Sequence, residues 1–285
     1  MSKTSRSGTT SRINHNSDLF YNSRLYKGFK SQKKKDKEKE NTLKNGEVNK
    51  LYCTSSEAMS ELLNGCIHLV VTSPPYNVGK IYDKDFTLDE YLKMLKRVFS
   101  ECYRVLISGG RACINVANIG RKPYIPLHAY LVLIMQEIGF LMRGEIIWHK
   151  GAGAGVSCAW GSWKSASNPC LRDVHEYILV FSKVDFRRQC KQNTIKKEEF
   201  LEFTKSVWEF SPVSAKKVGH PAPFPEELPR RLIQLYSFEK DIILDPFCGS
   251  GTTCIAALKA NRQFIGYEID KGYIELAKSR IDSLV

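Results

Sequence analysis

The sequence lacks any apolar run of membrane-spanning length. Its best candidate, Leu131-Val132-Leu133-Ile134-Met135, is cut short by Gln136 and Glu137. The N-terminus is polar and basic, with no apolar stretch of the kind a secretory signal needs, so a cytoplasmic, nucleoid-associated protein is expected. The nine cysteines are odd in number and include no Cys-x-x-Cys pair, which argues against a zinc site or a disulfide framework. They read as reduced core thiols, and no metal site is expected. Acidic residues are the scarcer charge: 43 Lys+Arg stand against 30 Asp+Glu, a net charge of +13. Residues 1–46 supply +8 of this, through 12 Lys+Arg and 4 Asp+Glu. A polyanionic partner is the natural consequence, although a solvated lysine-rich run explains the tail equally well.

Two stretches carry the chemistry. The apolar run Ile67-His68-Leu69-Val70-Val71 reads as a buried strand and ends in Thr72-Ser73-Pro74-Pro75-Tyr76-Asn77. Two prolines fix the backbone and remove N–H donors, leaving carbonyls and the Ser73 hydroxyl as outward acceptors beside an aromatic ring. Such a corner suits a planar amine gripped by its hydrogens and stacked on its face. Far downstream, Ile242-Ile243-Leu244 leads into Asp245-Pro246-Phe247-Cys248-Gly249-Ser250-Gly251-Thr252-Thr253 and a helix over 252–260. Strand, glycine turn and helix let backbone approach a nucleotide-like ligand. The next strand, 263–267, ends in Glu268, about twenty residues on, where a carboxylate reaches ribose hydroxyls. A dinucleotide loop fits less well, because Thr-Thr-Cys follows where a third glycine would stand.

Together these blocks resemble the β-group of S-adenosylmethionine-dependent DNA amino-methyltransferases, in which the Ser-Pro-Pro-Tyr block precedes the cofactor block as it does here. The resemblance covers about residues 47 to 283 and extends to His220-Pro221-Ala222-Pro223-Phe224-Pro225 and to Trp148-His149-Lys150. It implies an α/β three-layer sandwich whose Rossmann-like sheet is seven-stranded and mostly parallel, with one reversed strand and a circularly permuted motif order. It implies that Ser73, Pro74, Pro75 and Tyr76 are catalytic, and that Asp245, Phe247, Gly249, Ser250, Gly251, Thr252, Thr253, Glu268, His220 and Phe224 hold S-adenosylmethionine. Serine before Pro-Pro-Tyr favours cytosine N4 as acceptor over adenine N6. The implied partner is double-stranded DNA, in a restriction-modification system; a homodimer and a cognate endonuclease are compatible with it. A catalytically silent DNA-binding protein of the same fold is the alternative of another class, and RNA a lesser one. Pro169-Cys170 resembles a cytosine-C5 nucleophile, but the cofactor block lies on the wrong side of it. Two departures stand out: Tyr52-Cys53-Thr54-Ser55 replaces a Gly-Asp pair of the family, and Asn115 stands where some members carry an acid.

The expected organisation is a flexible basic tail over 1–45 and a methyltransferase domain over 46–285. The latter divides into a catalytic half (46–183), a target-recognition segment (184–217) and a cofactor half (218–285). Short aromatic runs in 18–29 suggest a docking segment. Helices are expected over 56–63, 88–106, 124–138 and 271–282. Strands are expected over 112–116, 140–148 and 174–181, with Gly109-Gly110 closing the segment before the first of these. For DNA, Asn77, Lys80, Trp160, Trp163, Lys164, Arg187 and Arg188 are the candidates, the tryptophans lying in a glycine-rich loop.

Overall fold

The computed structural model describes residues 21–29, 40–44, 46–76, 86–151, 160–189, 192–213 and 225–284. The chain divides into two compact units, residues 1–37 and 38–285. In the first, Arg24–Phe29 forms a 3-10 turn, and Tyr21 meets Tyr26 edge to face at 5.1 Å. The basic run of the tail lies outside the described residues.

The second unit alternates strands and helices: β1 (Lys50–Tyr52), β2 (Ile67–Thr72), α1 (Leu88–Val105), β3 (Leu106–Val116), α2 (Leu127–Ile138), β4 (Phe140–His149), β5 (His175–Lys183), α3 (Lys197–Phe203), β6 (Val207–Glu209), α4 (Glu227–Tyr236), β7 (Ile242–Asp245), α5 (Thr252–Lys259), β8 (Gln263–Tyr267) and α6 (Lys271–Asp282). The strands form one sheet in the order β1-β8-β7-β2-β3-β5-β4-β6. Every pairing is parallel except those of β5, which runs against both β3 and β4. Among the described residues the sheet has eight strands where seven were expected. Three-residue strands close both edges, and segments that short carry no periodicity to read.

Alternation splits the core into two layers. Val70, Ile114, Leu179, Leu244 and Ile265 face α1 and α2. Leu69, Val71, Cys113, Ile178, Val180 and Ile243 face α3, α4 and α5. Strands covered on both faces become continuous apolar runs, which is why β2 and β7 are so legible in sequence. Helix α1 starts at a reciprocal cap: Thr87 Oγ1 accepts from the Glu90 N–H at 3.3 Å, and Glu90 Oε2 accepts from the Thr87 N–H at 2.9 Å. Its buried stripe, Tyr91, Met94, Leu95, Val98, Phe99, Cys102 and Val105, follows the helical period.

Two local expectations fail. Residues 56–63 form turns rather than a helix. Arg104 donates to the Met59 and Leu62 carbonyls at 2.8 and 2.9 Å, and Glu101 accepts from the Met59 N–H at 2.7 Å, so helix 88–105 takes the groups a local helix would pair. Gly109 and Gly110 lie inside β3 and do not close the segment before it. Gly109 has φ +78°, and a Cβ there would sit 2.4 Å from the Arg187 carbonyl oxygen. The β2–β3 register shifts between Ile67 and Leu69, so the glycines mark a bulge within a longer strand.

Permuted chain order does not separate the two informative blocks. Parallel pairing of Leu69 with Ile243 and Val70 with Leu244 makes β2 and β7 neighbours that end at one edge. The reversed β5 begins at that same edge, with His175 opposite His149 and Glu176 opposite Trp148.

Candidate active site

Thr72 and Asp245, the last residues of β2 and β7, are joined directly. The Thr72 hydroxyl donates to Asp245 Oδ1 at 2.7 Å, and the Phe247 N–H donates to the same oxygen at 3.1 Å. Burial pushes the Asp245 carboxyl up to about 6; the nearby Thr253 and Thr72 hydroxyls and the Phe247 N–H oppose that rise.

Above this joint lies a cavity of about 390 Å³. Its wall includes Ser73, Pro74, Pro75 and Tyr76 from the first block and Phe247, Gly249 and Glu268 from the second. Gly249 adopts φ +47°, in the left-handed region, which lets its N–H turn to Glu268 Oε2 at 3.0 Å. Glu268 Oε1 accepts from the Ile269 and Asp270 N–H groups at 2.8 and 3.0 Å. Burial raises its carboxyl above the ordinary value, and the three N–H groups pull it back. A carboxylate offers about four lone-pair sites, so Glu268 keeps acceptor capacity toward the cavity.

Pro246 also lines the cavity, whereas Asp245, Ser250, Gly251, Thr252 and Thr253 support the loop from beneath and are not part of its wall. Asp245 and Thr253 are each 1 % exposed. Arg280 Nη1 donates to Ser250 Oγ at 2.9 Å and lies 3.4 Å from Thr252 Oγ1, so those hydroxyls turn toward α6. Gly251 caps α5 with φ +79°, and a Cβ there would stand 3.0 Å from the Ala277 Cβ.

The proline corner is braced on both sides. Tyr91 donates to the Pro75 carbonyl at 2.7 Å. Ser73 Oγ and the Tyr76 hydroxyl are 3.3 Å apart, and Tyr76 donates to Glu176 Oε2 at 3.3 Å. Asn115 Nδ2 donates to the same Glu176 oxygen at 2.6 Å, and Lys150 Nζ pairs with Glu176 Oε1 at 2.6 Å. Burial, and next the Glu176 charge, push the Tyr76 phenol well above its ordinary value, so it stays protonated.

The cavity suits a nucleoside ligand carrying positive charge. Its volume lies in the range of small-molecule sites. Phe247, Ile269 and Tyr273 give it apolar and aromatic wall, and Glu57, Glu268 and Asp270 give it acidic wall.

Residues 67–279 match a family of DNA methylases of the N6/N4 type. The chain belongs to this family. The methylase is 32 % identical over 278 residues to the Type II methyltransferase M.MjaI of Methanocaldococcus jannaschii, across 81 % of this chain and 90 % of that one. It is 29 % identical over 232 residues to the DNA adenine methyltransferase YhdJ of Escherichia coli, across 76 % of each. Among solved structures it resembles a DNA modification methylase of Thermus thermophilus, TTHA0409, complexed with S-adenosyl-L-methionine. That likeness has a TM-score of 0.66 and 31 % identity, over 82 % of this chain and 94 % of the other.

The candidate DNA contacts of the methylase scatter. Asn77 and Lys80 lie outside the described residues, as do the cofactor candidates His220 and Phe224. Trp160 and Trp163 pack edge to face at 5.2 Å and are 46 % and 64 % exposed. Arg172 lies 4.0 Å above the Trp160 ring, and Lys164 lies 5.6 Å from that of Trp163. Arg187 and Arg188 do not join the site. They follow the end of β5, at the sheet edge opposite the cavity. Arg188 is committed to the buried Asp241, donating to its two oxygens at 2.6 and 3.1 Å. A basic pair in sequence reveals nothing of which edge it occupies.

Several cavity residues were missed. Thr54, Ser55 and Ser56 stand in its wall, with the Ser56 hydroxyl donating to the Pro246 carbonyl at 2.8 Å. Their place beside the departure from the Gly-Asp pattern was the available signal. Glu176 had a weaker one, as an acid directly before the apolar run Tyr177 to Phe181. Among the described residues no cluster of three metal-binding side chains occurs, and no helix is long and apolar enough to cross a membrane.

Proposed function

We propose that the methylase transfers a methyl group from S-adenosylmethionine to the exocyclic N4 of cytosine in a short site of double-stranded DNA, as the modification half of a restriction-modification system. The observation that carries this reading is the shared cavity: Ser73 to Tyr76 and the Phe247–Gly249–Glu268 set line one space. The name of M.MjaI, a Type II methyltransferase, and the S-adenosyl-L-methionine bound to the Thermus protein support it.

Glu268 is the acceptor for ribose hydroxyls, and Phe247 and Ile269 cover the flat parts of the ligand. When bound, S-adenosylmethionine supplies a sulfonium-activated methyl carbon, the C–S electron pair staying with sulfur as the new C–N bond forms. The chain's task is the acceptor. An exocyclic amine shares its lone pair with the ring. Hydrogen bonds from its N–H groups to Ser73 Oγ and the Pro74 carbonyl draw the nitrogen toward tetrahedral geometry and aim its lone pair. Tyr76 stacks on the base. Positioning dominates, with electrostatic help. The base must leave the duplex, at a cost of about a few kcal/mol, which stacking on Tyr76 offsets in part. The exposed Trp160 and Trp163, with Lys164, form the DNA-facing loop, and the net charge of +13 favours the polyanion.

The domain reading follows the same lines, with 46–183 as catalytic half, 218–285 as cofactor half and the target contacts drawn from the part of 184–217 that follows β6. Adenine N6 is the second reading, favoured by the adenine specificity named for YhdJ; Ser73 in place of an acid favours cytosine. Transfer of tritiated methyl groups to DNA tests the proposal. Wild-type protein labels DNA and Ser73→Ala labels it far more slowly. Cofactor binding without any label from the wild type would favour the silent DNA-binding alternative.

A further inference from the structure

The Ser73–Tyr76–Glu176 chain has a direction that its distances alone do not state. Glu176 faces the Lys150 ammonium at 2.6 Å and the Asn115 amide N–H at 2.6 Å, partners that suit a carboxylate. An ionised carboxylate only accepts hydrogen bonds. Tyr76 must therefore donate to Glu176 Oε2. A phenol has one proton, so the contact between Ser73 Oγ and the Tyr76 oxygen is made by the Ser73 proton. Ser73 then faces the cavity with lone pairs only, as an acceptor for an amine N–H. Both hydroxyl links measure 3.3 Å, longer than a settled O–H···O bond, as is common before a reacting group arrives.

We propose that Glu176 is a positioning residue for methyl transfer: it polarises Tyr76 and Ser73 in one direction, holds Ser73 as a pure acceptor toward the amine, and receives the proton that the amine releases. This rests on the methyl-transfer reading above and names the fate of its proton. A nitrogen that gains a carbon must lose one proton. That proton passes to Ser73 Oγ as Ser73 passes its own to Tyr76 and Tyr76 passes its own to Glu176. Ser73 and Tyr76 end unchanged, and Glu176 ends as a neutral acid that returns its proton to water. Lys150 and Asn115 hold the carboxylate in place between turnovers. The acid comes from the start of the reversed β5, the strand whose amino end reaches the functional edge.

The test compares wild type, Glu176→Gln, Tyr76→Phe and the double variant in single-turnover methylation of DNA, with cofactor affinity and melting temperature measured alongside. Phenylalanine keeps the stacking ring and removes only the relay hydroxyl. Each single variant is expected to slow transfer by about 10²-fold, the lower end of what positioned proton transfer contributes. Cofactor Kd is expected to stay within about twofold, because no ground-state contact to the cofactor is removed. The double variant is expected to be no slower than the slower single one, since both cut one chain. A second readout needs no turnover: with 13Cζ-labelled tyrosine, the resonance absent from Tyr76→Phe identifies Tyr76, and Glu176→Gln is expected to move it. Either single variant at wild-type rate, losses that multiply in the double variant, or an unmoved resonance overturns the relay. Should Glu176→Gln fail to fold, Tyr76→Phe carries the rate test alone. A wild-type protein that moves no methyl group overturns the methyl-transfer reading, and the relay with it.

Discussion

Thr72 and Asp245 are 173 residues apart in the chain and 2.7 Å apart in space, hydroxyl to carboxylate. Both are 1 % exposed. This bond ties the strand that ends in the proline corner to the strand that ends in the glycine bend, so the two loops share one floor. Thr72→Val keeps the shape and removes the donor. It is expected to destabilise the fold by about 1–3 kcal/mol, the cost of leaving a buried acceptor short of a partner. Calorimetric melting measures this, and titration calorimetry should show weaker cofactor binding with it.

Asp245 makes stability depend on pH. Its folded pKa of about 6 lies above the unfolded value, about 3.9. Its contribution is therefore present below about pH 4 and is lost as pH rises through about 6, a difference of about 3 kcal/mol by pH 7.5. Asp245→Asn keeps an oxygen for Thr72 and the Phe247 N–H and removes the buried charge. Melting temperatures from pH 4 to 8 should rise for the variant at the alkaline end and converge with wild type at the acid end.

On the proposed reading, Glu268 holds the cofactor through its charge. Burial raises its carboxyl, so protonation sets in above the ordinary carboxylate range, and cofactor affinity should fall as pH descends through that raised value. Glu268→Gln should bind S-adenosylmethionine at least about tenfold more weakly at neutral pH, a loss of about 1.4 kcal/mol, with a flat pH response. Calorimetric titration at several pH values checks both.

Arg188 and Lys164 should behave as opposites. Breaking a buried ion pair from one side costs about 3–5 kcal/mol, so Arg188→Ala should melt early. Its DNA affinity per folded molecule, measured by anisotropy against salt, should keep the wild-type slope. Lys164→Ala should melt like wild type and bind DNA with a shallower slope.

The fold and the centre of the site were legible where the cause is local. Ile67 to Tyr76 and Ile242 to Thr253 each carry a strand and the turn it feeds within one short string. The apolar stripe of α1 was likewise plain from its spacing. What escaped depends on contacts distant in sequence. Residues 56–63 lost their helix because Arg104 claims the Met59 and Leu62 carbonyls. Glu176 was missed because only the reversal of β5 brings it to Tyr76. Arg187 and Arg188 looked available because charge counting carries no information about edges. Ser250 and Thr252 looked like ligand hydroxyls because Arg280, which engages Ser250 and approaches Thr252, comes from the last helix.

The central claim is that one cavity delivers a methyl group to a base amine. The direct measurement is to incubate unmethylated plasmid with the protein and S-adenosylmethionine, digest it to nucleosides and weigh the products by mass spectrometry. N4-methylcytosine in wild-type reactions, and far less of it with Ser73→Ala over the same time, is the predicted result. N6-methyladenine instead would contradict the acceptor assigned here, and no methylated nucleoside at all would contradict the account as a whole.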